Sequence, residues 1–307
     1  MKKSDYTFNG KKDKAVMFFS ASSTNDAQQL YNFGIREILV SYHYISKSFK
    51  FYTEFLPKLK SEGGLFMSDS GAFSVLHSTE LTDEHYTRKY WEPYIEKYVA
   101  WLYENKEYIY CAANFDIEQI VGYETVDAWN KQYFEPLEQY MQIVYVPHGQ
   151  DHTSKSLRDR FEYYCTRYDY VGVPSGRLSY ANAAQLYYIG NRYGSRLHGF
   201  GWTSIPTLKT WPFFSVDSTT WLGGVRYGTS YNYDGKNFRV NDYKKKYIRK
   251  GDKVLCREFG INHENLVKEK RIEVNQYNLI GWLGARKEFL RSANLKLSNK
   301  HVRFYTK

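Results

Sequence analysis

Short apolar runs alternate with stretches of helical spacing through the first two-thirds of the chain, and the alternation repeats eight times. The runs that read as buried strands are 15–19, 37–42, 64–67, 108–113, 143–146, 170–173, 197–201 and 213–216. Helical spacing fills the intervals: a short helix through Ala27, Leu30 and Tyr31, then 49–59, a long helix from Thr82, then 126–140, 154–168, 183–193 and 204–210. Thr82 followed by Asp83 and Glu84 reads as an N-cap with acidic residues in the first turn, and Pro93 predicts a kink or division further along. Strands this continuously apolar are buried on both faces, as in a parallel sheet. Eight strand–helix units in succession predict an α/β fold, a (β/α)8 barrel of the TIM type. An open doubly wound sheet is the alternative, but the glycine-rich first turn that marks it is absent.

Beyond Trp221 the pattern changes. Residues 223–228 and 233–236 are turn-rich, and Tyr243 to Lys250 is a run of basic and aromatic residues. Residues 275–290 have helical spacing, with Leu279, Ile280, Leu283 and Phe289 on the apolar side. The expected organisation is a catalytic barrel over residues 1–234, with a basic C-terminal extension and closing helix over 235–307 packed on it.

Composition adds limits. The 307 residues have a mean hydropathy of -0.64, enough for one large core. No apolar run approaches the roughly 20 residues of a membrane span. Met1-Lys2-Lys3-Ser4-Asp5-Tyr6 leads into further polar residues rather than a signal sequence, so a soluble, cytoplasmic protein is expected. Cys111, Cys165 and Cys256 are too scattered for a disulfide framework or a paired-cysteine zinc site, and neither metal nor cofactor is expected. A formal net charge of +10 fits either a polyanionic partner or simply a basic soluble protein. The 31 tyrosines offer stacking faces, although most serve packing.

Candidate chemistry gathers where strands end. The third strand runs into Asp69-Ser70-Gly71-Ala72-Phe73, the fourth into Phe115-Asp116-Ile117-Glu118, the fifth into Val146-Pro147-His148-Gly149-Gln150 and the eighth into Asp217-Ser218-Thr219. A parallel barrel collects such residues at one face, the C-terminal ends of its strands. Two aspartates there are the minimum equipment for breaking a glycosidic bond, with Asp217 as nucleophile and Asp69 as general acid and base. Each is also open to a structural reading, as an N-cap of the following helix.

Asp69-Ser70-Gly71-Ala72-Phe73 resembles the Asp-Ser-Gly-Gly-aromatic signature of the tRNA-guanine transglycosylase superfamily. In the same order, Phe115-Asp116 resembles its base-recognising aspartate, His148-Gly149 its Gln-Gly and Gly172-Val173 its glycine pair. His198-Gly199-Phe200-Gly201 resembles its Met-Gly-Val-Gly, and Val216-Asp217 the segment holding its nucleophile. The similarity runs from Lys14 to Asp234, with a weak echo in Gln276-Tyr277-Asn278. The cysteine zinc site of the family's bacterial tRNA-acting members has no counterpart, and a histidine replaces the glutamine. This zinc-less pattern is more similar to the phage-type DNA-guanine transglycosylases, the DpdA group.

That resemblance implies replacement of guanine in DNA by a 7-deazaguanine through a covalent aspartyl-deoxyribose intermediate, with Asp217 as nucleophile and Asp69 as acid/base. It implies DNA, or alternatively tRNA, and a free 7-deazaguanine as partners. Ser70 and Asp116 would meet the base edge, Phe73 and His198 its faces, and His148, Gly149, Gly172, Val173 and Gly199 would complete the pocket. Lys244, Lys245, Lys246, Arg249 and Lys250 would meet the nucleic-acid backbone. A barrel glycoside hydrolase using the same carboxylates and a noncatalytic nucleic-acid-binding barrel are the rival readings.

Overall fold

The computed structural model describes residues 7–8, 11–12, 15–78, 82–149, 154–174, 178–211, 213–227, 229–233, 238–242 and 250–303. Eight parallel strands form the barrel: β1 (Val16–Ala21), β2 (Glu37–Ser41), β3 (Leu65–Asp69), β4 (Cys111–Ala113), β5 (Gln142–Val144), β6 (Tyr170–Val173), β7 (Arg196–Gly199) and β8 (Ser215–Ser218). Hydrogen bonding links them in the order β5-β4-β3-β2-β1-β8-β7-β6. The remaining gap closes just past β5, where Tyr145 bridges to Val171. There the Tyr145 N–H donates to the Tyr170 carbonyl at 3.0 Å, and the Gly172 N–H to the Tyr145 carbonyl at 2.8 Å. The expected (β/α)8 architecture is therefore present, and its strands bury both faces: every residue of β1 and β6 is buried.

Two predicted helices are broken, and the same residue type explains both. The 49–59 segment is a π turn, Phe51–Phe55, followed by the α-helix Leu56–Ser61 with Pro57 in its first turn. The 126–140 segment is an α-helix, Tyr123–Trp129, then a π turn, Asn130–Phe134, then a 3-10 turn, Glu135–Gln139, carrying Pro136. Proline has no N–H to give to a carbonyl one turn back, so the chain widens before it and restarts. Pro93, in contrast, divides nothing: it lies within the continuous helix Arg88–Glu104. That helix begins later than Thr82 because Thr82 and His85 cap a separate 3-10 turn, Asp83–Tyr86, and Thr87 is extended.

The chain forms two compact units, one of Met1–Trp202 with Phe213–Asp217, the other of Thr203–Pro212 with Ser218–Lys307. The first holds the barrel and the candidate site. The second contains the helix Ile205–Thr210, an antiparallel pair Thr229–Tyr233 with Phe238–Asp242, and a long helix, Arg271–Arg303. Within it, Asn278 of the long helix accepts from the Tyr231 N–H at 3.0 Å and donates to the Trp221 carbonyl at 3.3 Å. Leu279 and Phe289 are buried as expected, together with Trp282 and Ala285, while Ile280 and Leu283 are half-buried. The basic run at 243–249 lies outside the described residues, as does the side chain of Lys250. Among the described residues, no helix is long and apolar enough to cross a membrane.

The seam between β5 and β6 yields a stability prediction. The buried Tyr145 ring stacks on Tyr168 at 3.6 Å between centroids, and its hydroxyl donates to Glu138 at 2.8 Å. Tyr145→Ala is expected to cost about 3–5 kcal/mol, read as a lower urea midpoint.

Candidate active site

Asp69 is the last residue of β3, and Asp217 lies one residue inside the end of β8, so the parallel strands carry both carboxyls to the same end of the barrel. Their placement there is backbone geometry: β2 pairs with β3 in register, setting Ser41 beside Asp69. The Gly71 N–H donates back to Asp69 Oδ2 at 3.2 Å, which folds the Ser70-Gly71 turn beneath the carboxyl. Gly71 has φ +87°, and a Cβ there would stand 2.8 Å from His43 Cβ and Tyr94 Oη and 2.9 Å from Ser41 Oγ. Only glycine fits that turn.

Asp69 keeps partial access to solvent, yet protein surrounds it closely enough to push its pKa from 3.8 up to about 7. Burial is the largest cause, the negative charge of Asp116 the next, and that of Asp217 a further contribution. Hydrogen bonds from the Gly71 N–H and the Ser41 hydroxyl pull the other way without prevailing. Asp69 therefore holds a proton near neutrality while two other carboxylates lie close enough to act on it.

Asp217 is pinned at both oxygens. Ser20 Oγ, from neighbouring β1, donates to Oδ2 at 2.7 Å, and the Gly201 N–H donates to Oδ1 at 2.8 Å. His198 Nε2 stands 3.5 Å from Oδ1. The third carboxylate, Asp116, pairs with His148 Nε2 at 2.8 Å. Burial works against a charged His148, but the hydrogen bond and charge of Asp116, with the charge of Glu118, outweigh it and raise the imidazole pKa.

A buried polar network fixes the loops that carry this pair. Asn114, fully buried after β4, donates to Asn130 Oδ1 at 3.0 Å and accepts from the Val146 N–H at 2.9 Å, tying the β4 and β5 ends together. Asn130 donates to the Tyr164 hydroxyl at 3.1 Å, and that hydroxyl donates to Glu118 Oε1 at 2.9 Å. Arg160 reaches Tyr164 at 3.0 Å and grips Asp127 through two bonds, at 2.7 and 3.0 Å. Glu118 is inaccessible, and burial pushes its pKa to about 7 against the nearby positive charges of His148 and Arg160.

The other residues singled out along the sequence lie as follows. Ser70 is inaccessible, and its Oγ accepts from the Ala72 N–H at 3.4 Å, starting the next helix. A Cβ on Gly172 would stand 2.7 Å from the Phe200 ring and 2.9 Å from Val146; one on Gly199 would meet Trp202 and Phe213 at 3.0 and 3.2 Å. Val173 and Gly149 are buried. His198 is inaccessible inside the barrel, with the Phe200 ring 4.2 Å away edge-on, so it is not free to face a planar ligand. The Phe73 side chain lies outside the described residues. Ser20, Ser41, Tyr94 and Glu118 were not selected from the sequence; only Glu118 sat in a polar cluster that drew attention.

Among the described residues, no group of three or more His, Cys, Asp or Glu side chains has metal-holding geometry. A cavity of about 130 Å³ lies at the N-terminal ends of β5, β6 and β7, lined by Gln142, Tyr168, Tyr170, Arg167 and Arg196 among others. It sits at the wrong end of the strands for barrel chemistry, so the carboxyl cluster defines the candidate site.

No family model matches the chain, and no curated protein matches it. Solved structures of similar fold include a mandelate racemase/muconate lactonizing protein from Herpetosiphon aurantiacus, at 10% identity and a TM-score of 0.42, covering 66% of this chain and 54% of that one. A protein from Sorangium cellulosum assigned to the mandelate racemase/muconate lactonizing enzymes matches at 10% identity and 0.40, covering 66% and 53%. The chain spans about half the length of these proteins, and likenesses this weak carry no argument about activity. Neither is a transglycosylase, and no comparison supports the resemblance drawn from the motifs. The assignment to guanine transglycosylases is corrected accordingly, and with it pentosyl transfer and base exchange in DNA or tRNA. The physical reason lies in the motifs themselves: Gly71, Gly172 and Gly199 stand where a side chain would collide with the barrel's own packing.

The raised carboxyl pKa values fix a pH dependence. A carboxyl at about 7 in the folded chain and 3.8 unfolded binds more protons when folded, so its stabilising contribution is complete below pH 4 and lost between pH 4 and 7. Asp69→Asn removes that loss. The variant is expected to be more stable than the parent at pH 8 by roughly 1–4 kcal/mol, with little difference at pH 4, measured by urea unfolding at both pH values.

Proposed function

We propose that this protein is an enzyme of general acid–base type, acting on a small polar substrate at the C-terminal mouth of the barrel. The supporting observation is the pairing of a carboxyl that holds its proton near neutrality, Asp69, with a carboxylate pinned at the same end, Asp217. Asp69 donates a proton to an oxygen or nitrogen of the substrate as negative charge develops there. Asp217 takes up the proton released elsewhere on the molecule, its orientation fixed by Ser20 and Gly201. The Asp116–His148 pair, 2.8 Å apart and partly accessible, offers a hydrogen-bond donor to the substrate. An acid matched to the working pH typically contributes 10²–10⁴-fold, so the class includes isomerisation, elimination and hydrolysis at a polarised carbon.

The proposal is tested in two steps. Carbon-13 NMR of aspartate-labelled protein, with Asp69 assigned through Asp69→Asn, is expected to give a carboxyl midpoint near 7; a midpoint in the ordinary carboxylate range removes Asp69 as the acid. Incubation with a panel of hydroxy acids, amino acids, sugar acids and glycosides in D2O then reads deuterium uptake and product formation by mass. Turnover is expected to fall above pH 7 and to drop about 10²–10⁴-fold in both Asp69→Asn and Asp217→Asn. Full turnover in either variant removes that residue from its role.

A further inference from the structure

A chain of buried hydroxyl and imidazole groups runs through the barrel interior and ends at Asp217. Tyr170, the first residue of β6, is hydrogen-bonded through its hydroxyl to Ser215 Oγ of β8. Ser215 Oγ lies 2.6 Å from His198 Nδ1 on β7, the strand between them. His198 Nε2 faces Asp217 Oδ1 across 3.5 Å. Ser215 and His198 are inaccessible and Tyr170 nearly so, so bulk solvent does not reach the chain.

The direction of this chain follows from what each group can give. Burial raises the Tyr170 pKa well above the ordinary phenol, so the hydroxyl keeps its proton, and Ser215 Oγ is the acceptor beside it. Having accepted from Tyr170, the serine hydroxyl directs its own proton to His198 Nδ1. A ring that accepts at Nδ1 carries its single proton on Nε2, the atom turned toward Asp217. The reverse chain would leave the phenol proton without Ser215 as its acceptor and aim a nitrogen lone pair at a carboxylate, two costs in a buried site.

We propose that His198 is a positioning residue: the chain Tyr170–Ser215–His198 fixes its proton on Nε2, and that N–H, with Ser20 and Gly201, holds the Asp217 carboxylate in place. The 3.5 Å separation is longer than a good hydrogen bond, which fits a contact that tightens once substrate excludes water from the carboxylate. This inference rests on the reading of Asp217 as the proton acceptor. It also accounts for a histidine within a barrel core whose Nε2 has no other hydrogen-bond partner.

Nitrogen-15 NMR of the full chain labelled at histidine tests the proposal without needing a substrate, His198 being assigned through His198→Gln. The expected spectrum of the neutral ring has Nε2 in the pyrrole-like range and Nδ1 in the pyridine-like range. Ser215→Ala removes one oxygen and leaves the ring packing intact; it is expected to release the tautomer, drawing the two nitrogen shifts together. A proton on Nδ1 in the parent, or unchanged shifts in Ser215→Ala, overturns the proposal. In the turnover assay, His198→Phe is expected to lose at least about tenfold in kcat with KM little changed, and His198→Gln, whose amide N–H reaches the same direction, to recover part of the loss. Full turnover by His198→Phe where Asp217→Asn is inactive overturns this inference alone. Full turnover by Asp217→Asn overturns the reading of Asp217 beneath it.

Discussion

Negative charge crowded into a poorly hydrated space is the constraint on which this molecule turns. Asp69 and Asp217 stand at the ends of β3 and β8 and Asp116 in the loop after β4, and the parallel barrel carries all three to one end. Three ionised carboxylates so close together would repel one another strongly, because the surrounding protein screens them less than water does. The conflict is resolved unequally. Asp217 accepts from Ser20 and Gly201 and Asp116 pairs with His148, while at Asp69 burial and the charges of the other two outweigh the donors Gly71 and Ser41 and favour the protonated form.

The remainder of the barrel makes that inequality durable. Ser20 comes from β1 and Gly201 from the loop after β7, so the strands on either side of β8 each contribute one donor to Asp217. Asn114 ties the end of β4 to the end of β5, fixing the loops from which Asp116 and His148 project. Behind them, Glu118, Tyr164, Arg160 and Asp127 share a buried network in which one carboxyl is itself held near neutrality. Breaking one member of such a network strands its partners without water, so the arrangement resists partial loosening.

How much of the site was legible depended on the kind of signal each residue left. Asp69 and Asp217 were visible because a carboxyl interrupts an apolar run where a strand should stop. Ser20 left no such mark: it sits inside an apolar strand, 197 positions from the aspartate it serves. His198 misled for the converse reason. A histidine at a strand end reads as a pocket wall, but His198 is buried in the barrel, where Ser215 engages its Nδ1. Glycines next to polar residues invited comparison with a known family, yet close packing against Tyr94, Phe200 and Phe213 accounts for them without reference to any ligand.

The order of apolar runs determined the fold by itself, since eight strands that must each bury two faces leave few closed arrangements. It also determined at which end polar residues would collect, because a parallel barrel gives every strand the same direction. What the sequence did not contain was the raised pKa of Asp69. That was decided only in three dimensions, by the burial of the end of β3 and by the two carboxylates that the parallel barrel brings near it from elsewhere in the chain.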